Sequence, residues 1–128
     1  MTAIPASDNL TDRHRVDALV NMVRKQGSEP MQDRRSGPRF ALQMPVKLGV
    51  CLAGSDEFSV IYDAWALDIS SHGVGLILED PSPPLLKLFI DFSSVMGEQF
   101  LLPARILYCR ELLPHTYQAG AVFMWMAQ

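Results

Sequence analysis

The feature that most constrains the fold is a series of short apolar stretches, separated by turn signals, that begins directly after Pro38. Within residues 74–78 and 104–108, successive side chains are predicted to point alternately into a core and outward, which is the period of a β-strand. Regularly spaced strands of this kind predict a closed antiparallel barrel. The predicted strands are residues 40–52, 58–67, 73–79, 85–92, 99–110 and 116–125.

A helix is predicted ahead of the barrel, from residue 9 to about residue 26. Apolar side chains recur there at positions i, i+3, i+4 and i+7, which defines one narrow apolar stripe. The stripe consists of Val16, Leu19, Val20 and Val23. An isolated helix of this length is marginal in water, so something must cover the stripe. It either packs on the chain's own barrel or docks a second copy or a partner protein.

The predicted fold class is therefore all-β, a six-stranded antiparallel barrel with an N-terminal α-helix. A chain of 128 residues fits one such domain, with an extension of helix and linker over residues 1–30 and the barrel over residues 31–128. No apolar run approaches the roughly 20 residues of a membrane helix. The first residues also lack the basic start and apolar core of a secretory signal, so we expect a cytoplasmic protein.

Charge is distributed unevenly along the chain. Residues 1–39 carry seven basic and five acidic side chains, a net +2, whereas residues 40–128 carry four basic and nine acidic ones, a net −5. A basic segment leading into an acidic barrel suits a small anion that is held at one place. It does not suit a nucleic acid, because nucleic-acid-binding proteins usually present a broad basic face.

Three arginines precede the first predicted strand. Arg35 and Arg39 are separated by a segment that contains Gly37 and Pro38, and Arg34 stands directly before the pair. Because Gly-Pro prevents a regular helix, the segment is predicted to be an extended or turning loop. Paired guanidinium groups can bind phosphate through two hydrogen bonds and stack on a planar base. The alternative is a solvated basic face with no ligand.

A second polar motif, Asp-Ile-Ser-Ser-His-Gly, occupies residues 68–73 between two predicted strands. One interpretation is a tight turn in which short polar side chains bond their own backbone and Gly73 adopts a positive φ. The other uses the same turn to present Asp68 and Ser70 at the barrel rim, where they can exchange hydrogen bonds with guanine.

The order of these features resembles the PilZ family of small β-barrels, which bind cyclic di-GMP. The motif Arg-Ser-Gly-Pro-Arg at residues 35–39 is followed by two strands, the turn at residues 68–73 and a short Gly-Val-Gly-Leu strand. Residues 103–107 and 117–123 are similar to the closing strands of that family. The resemblance covers about residues 33–125.

The resemblance implies a ligand site with defined roles. Arg35 and Arg39 would contact the phosphates of cyclic di-GMP and its guanines, and Asp68 would bind a guanine edge. Ser70 would support Asp68, and Gly73 would permit the turn. Arg34 adds a third guanidinium, which favours a stacked pair of ligand molecules over a single one.

The expected function is a cyclic di-GMP receptor that changes conformation and relays the signal to a protein partner, in motility, biofilm or exopolysaccharide control. Ligand would order residues 31–38 and reposition the helix. The alternative is a PilZ-like adaptor that binds only proteins. Enzyme activity, a metal and a cofactor are not expected, because no catalytic or metal-ligating cluster stands out. Whether the helix forms a homodimer stays open.

Overall fold

Antiparallel pairing of six long strands closes a barrel in the computed structural model, which describes residues 2–3, 9–25, 30–31, 39–51, 57–81 and 87–124. In these residues the barrel runs in the order β3, β4, β5, β8, β7, β6 and back to β3. The two-residue strands β1 and β2 pair with β4 and β3. The elements are β1 (Thr2–Ala3), α1 (Asn9–Lys25), β2 (Pro30–Met31), β3 (Arg39–Cys51), β4 (Glu57–Ile69), β5 (Gly73–Leu78), β6 (Lys87–Asp91), α2 (Ser93–Met96), β7 (Leu101–Leu113) and β8 (Thr116–Phe123).

The prediction of a six-stranded antiparallel barrel with an N-terminal helix is confirmed. The strands differ from the sequence expectation mainly at their ends, since β4 continues through Ile69 and β7 through Leu113. The short helix α2 was not expected from the sequence. It ends at Gly97, whose φ of 77° is the left-handed conformation that favours glycine at a helix C-terminus.

The barrel interior is filled by side chains that alternate along the strands. On β8, for example, Ala119, Ala121 and Phe123 are buried, and the residues between them are more exposed. The same alternation on β7 buries Ala104 and Ile106. These side chains belong to one continuous hydrophobic cluster, so a single core holds the strands together.

Helix α1 packs against β3 and α2, at the end of the barrel where β3 begins. Its stripe residues Val16, Leu19 and Val23 are buried in the same cluster as the barrel interior. Beside the stripe, the guanidinium of Arg15 lies over the ring of Phe100, 4.6 Å from its centroid. The chain's own barrel thus covers the stripe, as the first of the two interpretations predicts.

Part of the predicted ligand loop lies outside the described residues, including Arg34 and Arg35. Arg39, the last arginine of that motif, is described as the first residue of β3. Among the described residues, no helix combines the length and the apolar character that crossing a membrane requires.

Candidate ligand-binding site on the outer face of the barrel

An ion pair joins the two sequence motifs. Arg39 begins β3, Asp68 lies near the end of β4, and the pairing of these strands sets Ala41 opposite Asp68. Arg39 donates a hydrogen bond from Nη1 to Oδ1 of Asp68 over 2.8 Å. Two residues that are 29 positions apart in the sequence therefore meet at one place on the barrel.

A second ion pair between the same two strands shows what distinguishes the first. Lys47 donates from Nζ to Oδ1 of Asp63 over 2.9 Å, but these side chains are 61% and 86% exposed. The side chains of Arg39 and Asp68 are only 31% and 17% exposed. Screening by water weakens the exposed pair, so the partly buried pair is the stronger and better fixed of the two.

Ser70 stabilises the turn that follows Asp68. Its side chain is fully buried, and its Oγ accepts hydrogen bonds from the backbone N–H groups of His72 over 3.1 Å and Gly73 over 3.3 Å. The Ser70 N–H in turn donates to the Gly73 carbonyl over 2.9 Å. A hydroxyl that accepts two backbone hydrogen bonds in this way fixes the conformation of the turn.

Gly73 is required for a different reason from the one expected. The prediction of a positive φ at this position is wrong, because Gly97 is the glycine with that conformation in the described part of the chain. A Cβ on Gly73 would instead lie 2.1 Å from the carbonyl oxygen of Ala121 on β8. The backbones of β5 and β8 approach so closely here that only glycine fits.

A row of four residues crosses the outer face of the barrel beside the ion pair. Strand pairing places Asp68 of β4 opposite Gly75 of β5, Gly75 opposite Gly120 of β8, and Gly120 opposite Tyr108 of β7. A Cβ on Gly75 would lie 2.8 Å from Oδ1 of Asp68, and one on Gly120 would lie 2.3 Å from Cε1 of Tyr108. The carboxylate and the ring therefore lie over two glycines. We call this pair of glycines the glycine floor.

Two β-bulges orient the ends of this row. In β4 the register shifts between Ala66 and Asp68, and in β7 it shifts between Ile106 and Tyr108. Ala66 and Ile106 are buried in the core, so regular alternation would turn the residues two positions later inward as well. The extra residue in each strand turns Asp68 and Tyr108 outward instead.

The structure brings together four of the six predicted site residues: Arg39, Asp68, Ser70 and Gly73. The glycine floor and Tyr108 were not identified from the sequence. The signal in the sequence is faint: glycines at the first and third positions of β5 and one glycine within β8. It becomes informative only when the strand register places Gly75 opposite Gly120. Neither a scan against protein-family models nor a search of curated proteins found a match to this chain.

Proposed function

We propose that the protein is a PilZ-type receptor that binds cyclic di-GMP on the outer face of its barrel and relays the signal to a protein partner. The observation that carries this proposal is the 2.8 Å contact between Arg39 and Asp68. It joins the two motifs to which the resemblance assigns phosphate and guanine binding. A site made of separate motifs is useful only if the fold brings them together.

The chemistry of these side chains suits the two halves of the ligand. Arg39 offers a planar guanidinium for phosphate oxygens or a guanine face, and Asp68 offers acceptors for the N–H groups of a guanine edge. The residues Arg34 and Arg35 precede Arg39 by five and four positions, so chain geometry limits their Cα atoms to within roughly 18 Å of its own. If all three arginines contact the ligand, their positive charges outnumber the single Asp68 carboxylate, which suits a dianion.

The contact also holds Asp68 ready for a base. Arg39 fixes one carboxylate oxygen of Asp68, and the Asp68 side chain lies over Gly75. The carboxylate therefore has few other orientations to lose when a guanine binds, which lowers the entropic cost of binding.

The first test is isothermal titration calorimetry with cyclic di-GMP. We expect a wild-type Kd in the micromolar range or tighter, weakened by about tenfold or more in Arg39→Ala and in Asp68→Asn, since each removes a hydrogen bond to a charged group. The matched control is Lys47→Ala, which breaks the ion pair that Lys47 on β3 forms with Asp63 on β4. Absence of heat and of thermal stabilisation with the wild type would overturn the proposal.

Arg34 determines the expected stoichiometry. If its guanidinium supports a stacked pair of ligands, the titration gives about two cyclic di-GMP per protein, and Arg34→Ala reduces this to about one. A ratio near one in both proteins would remove the role of Arg34 while leaving the receptor itself in place.

The proposed relay runs through β3. Arg39 is its first residue, and α1 packs against the same strand. A ligand that binds Arg39 can shift α1 only through different affinities for two arrangements of the helix. Hydrogen exchange should therefore show altered protection of the amides of residues 9–25 when ligand is added, and unchanged protection would refute the relay.

A PilZ-like adaptor that binds no nucleotide is the second candidate. The observation that favours it is that Asp68 and Ser70 already have hydrogen-bond partners within the protein, so both motifs have a structural role without ligand. Arg35→Ala separates the two functions. An adaptor keeps its protein partner in this variant, whereas a receptor loses the ligand and the response together.

A further inference from the structure

We propose that Tyr108 and Arg105 of β7 form the far wall of the ligand site, across the glycine floor from Asp68. In this arrangement the ring of Tyr108 stacks on a guanine base, and the guanidinium of Arg105 contacts a phosphate. The inference rests on the proposed function and adds to it two residues that lie outside both sequence motifs.

The first argument is the spacing of the Asp68 carboxylate and the Tyr108 ring across the glycine floor. Three strand spacings separate the backbones of Asp68 and Tyr108, which is about 14 Å. The carboxylate lies over Gly75 and the ring over Gly120, so each side chain leans toward the other. About one strand spacing, roughly 5 Å, then separates them, and no side chain rises from the floor between. A planar base can lie there against the ring with its edge toward the carboxylate.

The second argument is that two facing glycines make the sheet less stable than other residues would. Gly75 and Gly120 face each other within paired strands of the barrel, where side chains normally stabilise the sheet by pairing across strands. Glycine within a strand forgoes that contact and loses more conformational entropy on folding. Such positions often mark a place where a ligand or another backbone comes close. Here Gly75 is buried beneath the Asp68 carboxylate, and Gly120 is half-buried beneath the ring of Tyr108, which is itself half-exposed.

The third argument comes from the bulges. A single extra residue in β4 turns Asp68 outward, and a single extra residue in β7 does the same for Tyr108. Bulges disrupt the strand ladder locally and are common beside functional sites, where they redirect a side chain. Here two separate bulges direct a carboxylate and an aromatic ring to opposite ends of one row.

The fourth argument concerns Arg105, the outward residue of β7 just before the bulge, which pairs with Val122. Its side chain is half-buried, and its Nε has no hydrogen-bond acceptor among the described residues. A buried donor without an acceptor is unfavourable, and a phosphate oxygen beside it would satisfy it. Arg105 would thus face the ligand from the side opposite Arg39.

The test compares two tyrosines of similar exposure. Tyr108 is 47% and Tyr62 is 45% exposed, and Tyr62 lies on the part of β4 remote from the motifs. Because base stacking on an aromatic ring is a substantial part of such binding, Tyr108→Ala should weaken cyclic di-GMP affinity by about tenfold or more. Tyr108→Phe keeps the ring and should bind like the wild type, and Tyr62→Ala should be unchanged.

A stacked ring also gives a signal independent of affinity. In Tyr108→Trp, a guanine stacked on the new indole should quench its fluorescence in proportion to bound ligand. Tyr62→Trp is the matched control and should show no more quenching than the wild type, whose own tryptophans include Trp65.

The role of the Arg105 guanidinium has its own test. Arg105→Gln should weaken binding of cyclic di-GMP and make the affinity less sensitive to salt, while Arg24→Gln on α1 should do neither.

The outcomes separate this inference from the proposed function. Suppose that the wild type binds cyclic di-GMP and Asp68→Asn abolishes binding, but Tyr108→Ala binds normally and Tyr108→Trp is not quenched. The proposed role of Tyr108 is then refuted, and the proposed receptor function is retained. If the wild type does not bind, both proposals fall. The thermal unfolding of each variant is measured as well. A variant that unfolds at the same temperature as the wild type has lost affinity without losing its fold.

Discussion

Replacing Gly73 with alanine should destabilise the barrel by forcing β5 and β8 apart. The added Cβ would lie 2.1 Å from the Ala121 carbonyl oxygen, whereas ordinary van der Waals contact begins at 3.4 Å. The two atoms must therefore separate by about 1.3 Å. The obstructing atom belongs to the backbone of a paired strand, so it cannot rotate away as a side chain would.

The loss of stability has two sources, the overpacking around the added Cβ and the weakened hydrogen bonding between β5 and β8. Overpacking of a well-packed site costs about 1–3 kcal/mol, and a weakened ladder hydrogen bond adds about 1 kcal/mol. We therefore expect the free energy of unfolding to fall by about 3 kcal/mol. For a chain of 128 residues each kcal/mol corresponds to roughly 4 °C, so the Tm should fall by roughly 12 °C.

The assay is urea unfolding followed by circular dichroism, with two alanine variants that separate the possible causes. Gly97 has a positive φ but nothing within 4 Å of an added Cβ, so Gly97→Ala should cost only about 1 kcal/mol of backbone strain. Gly120→Ala meets the Tyr108 ring, which is half-exposed and can rotate, so its effect should be smaller still. A Gly73→Ala variant within about 0.5 kcal/mol of the wild type, the range of an ordinary surface substitution, would refute the steric argument.

Three further predictions test the turn, the helix and the exposed ion pair. Ser70→Ala removes the buried acceptor of two backbone N–H groups and should lower the free energy of unfolding by about 1–3 kcal/mol in urea titration; an unchanged midpoint would contradict this role. Leu19→Ala should lower it by about 2–5 kcal/mol, and the exposed Met22→Ala by far less; equal losses would contradict helix packing. The hydrogen bond to Asp63 and the charge of that carboxylate raise the pKa of Lys47, so the pair's stabilisation is present below the unfolded-state pKa and is lost as pH rises through the folded-state pKa. In NMR titration, Asp63→Asn should lower the pKa of Lys47, and an unchanged value would contradict the assignment.

Patterns that depend on neighbours in the sequence were predictable. The stripe of α1 follows from helical spacing, and three of its members, Val16, Leu19 and Val23, are buried against the barrel. The strands of the barrel follow from period-two alternation and from turn signals such as Pro114-His115, which lies between β7 and β8. These signals are local, because each reflects the way a short segment buries one face.

The contacts that build the candidate site depend on register, which is not a local property. Asp68 and Gly75 meet because the register shifts between β4 and β5. Gly73 needs to be glycine because of the carbonyl of Ala121 on β8, a residue 48 positions further on in the sequence. The sequence predicted a glycine with a special conformation, since that is the usual local reason for one in a turn. The actual reason is the close approach of two backbones.

The bulges explain why alternation alone misplaces the most important side chain. Counted by twos from the buried Ala66, Asp68 would point into the apolar core, where an ionised carboxylate is strongly unfavourable. The extra residue places it outside, within 2.8 Å of Arg39 and over the glycine floor. A regular β4 would bury the charge and separate the two motifs, so the irregularity is part of the site. The same reasoning applies to β7, where Ile106 is buried and Tyr108 reaches the outer face only through the extra residue.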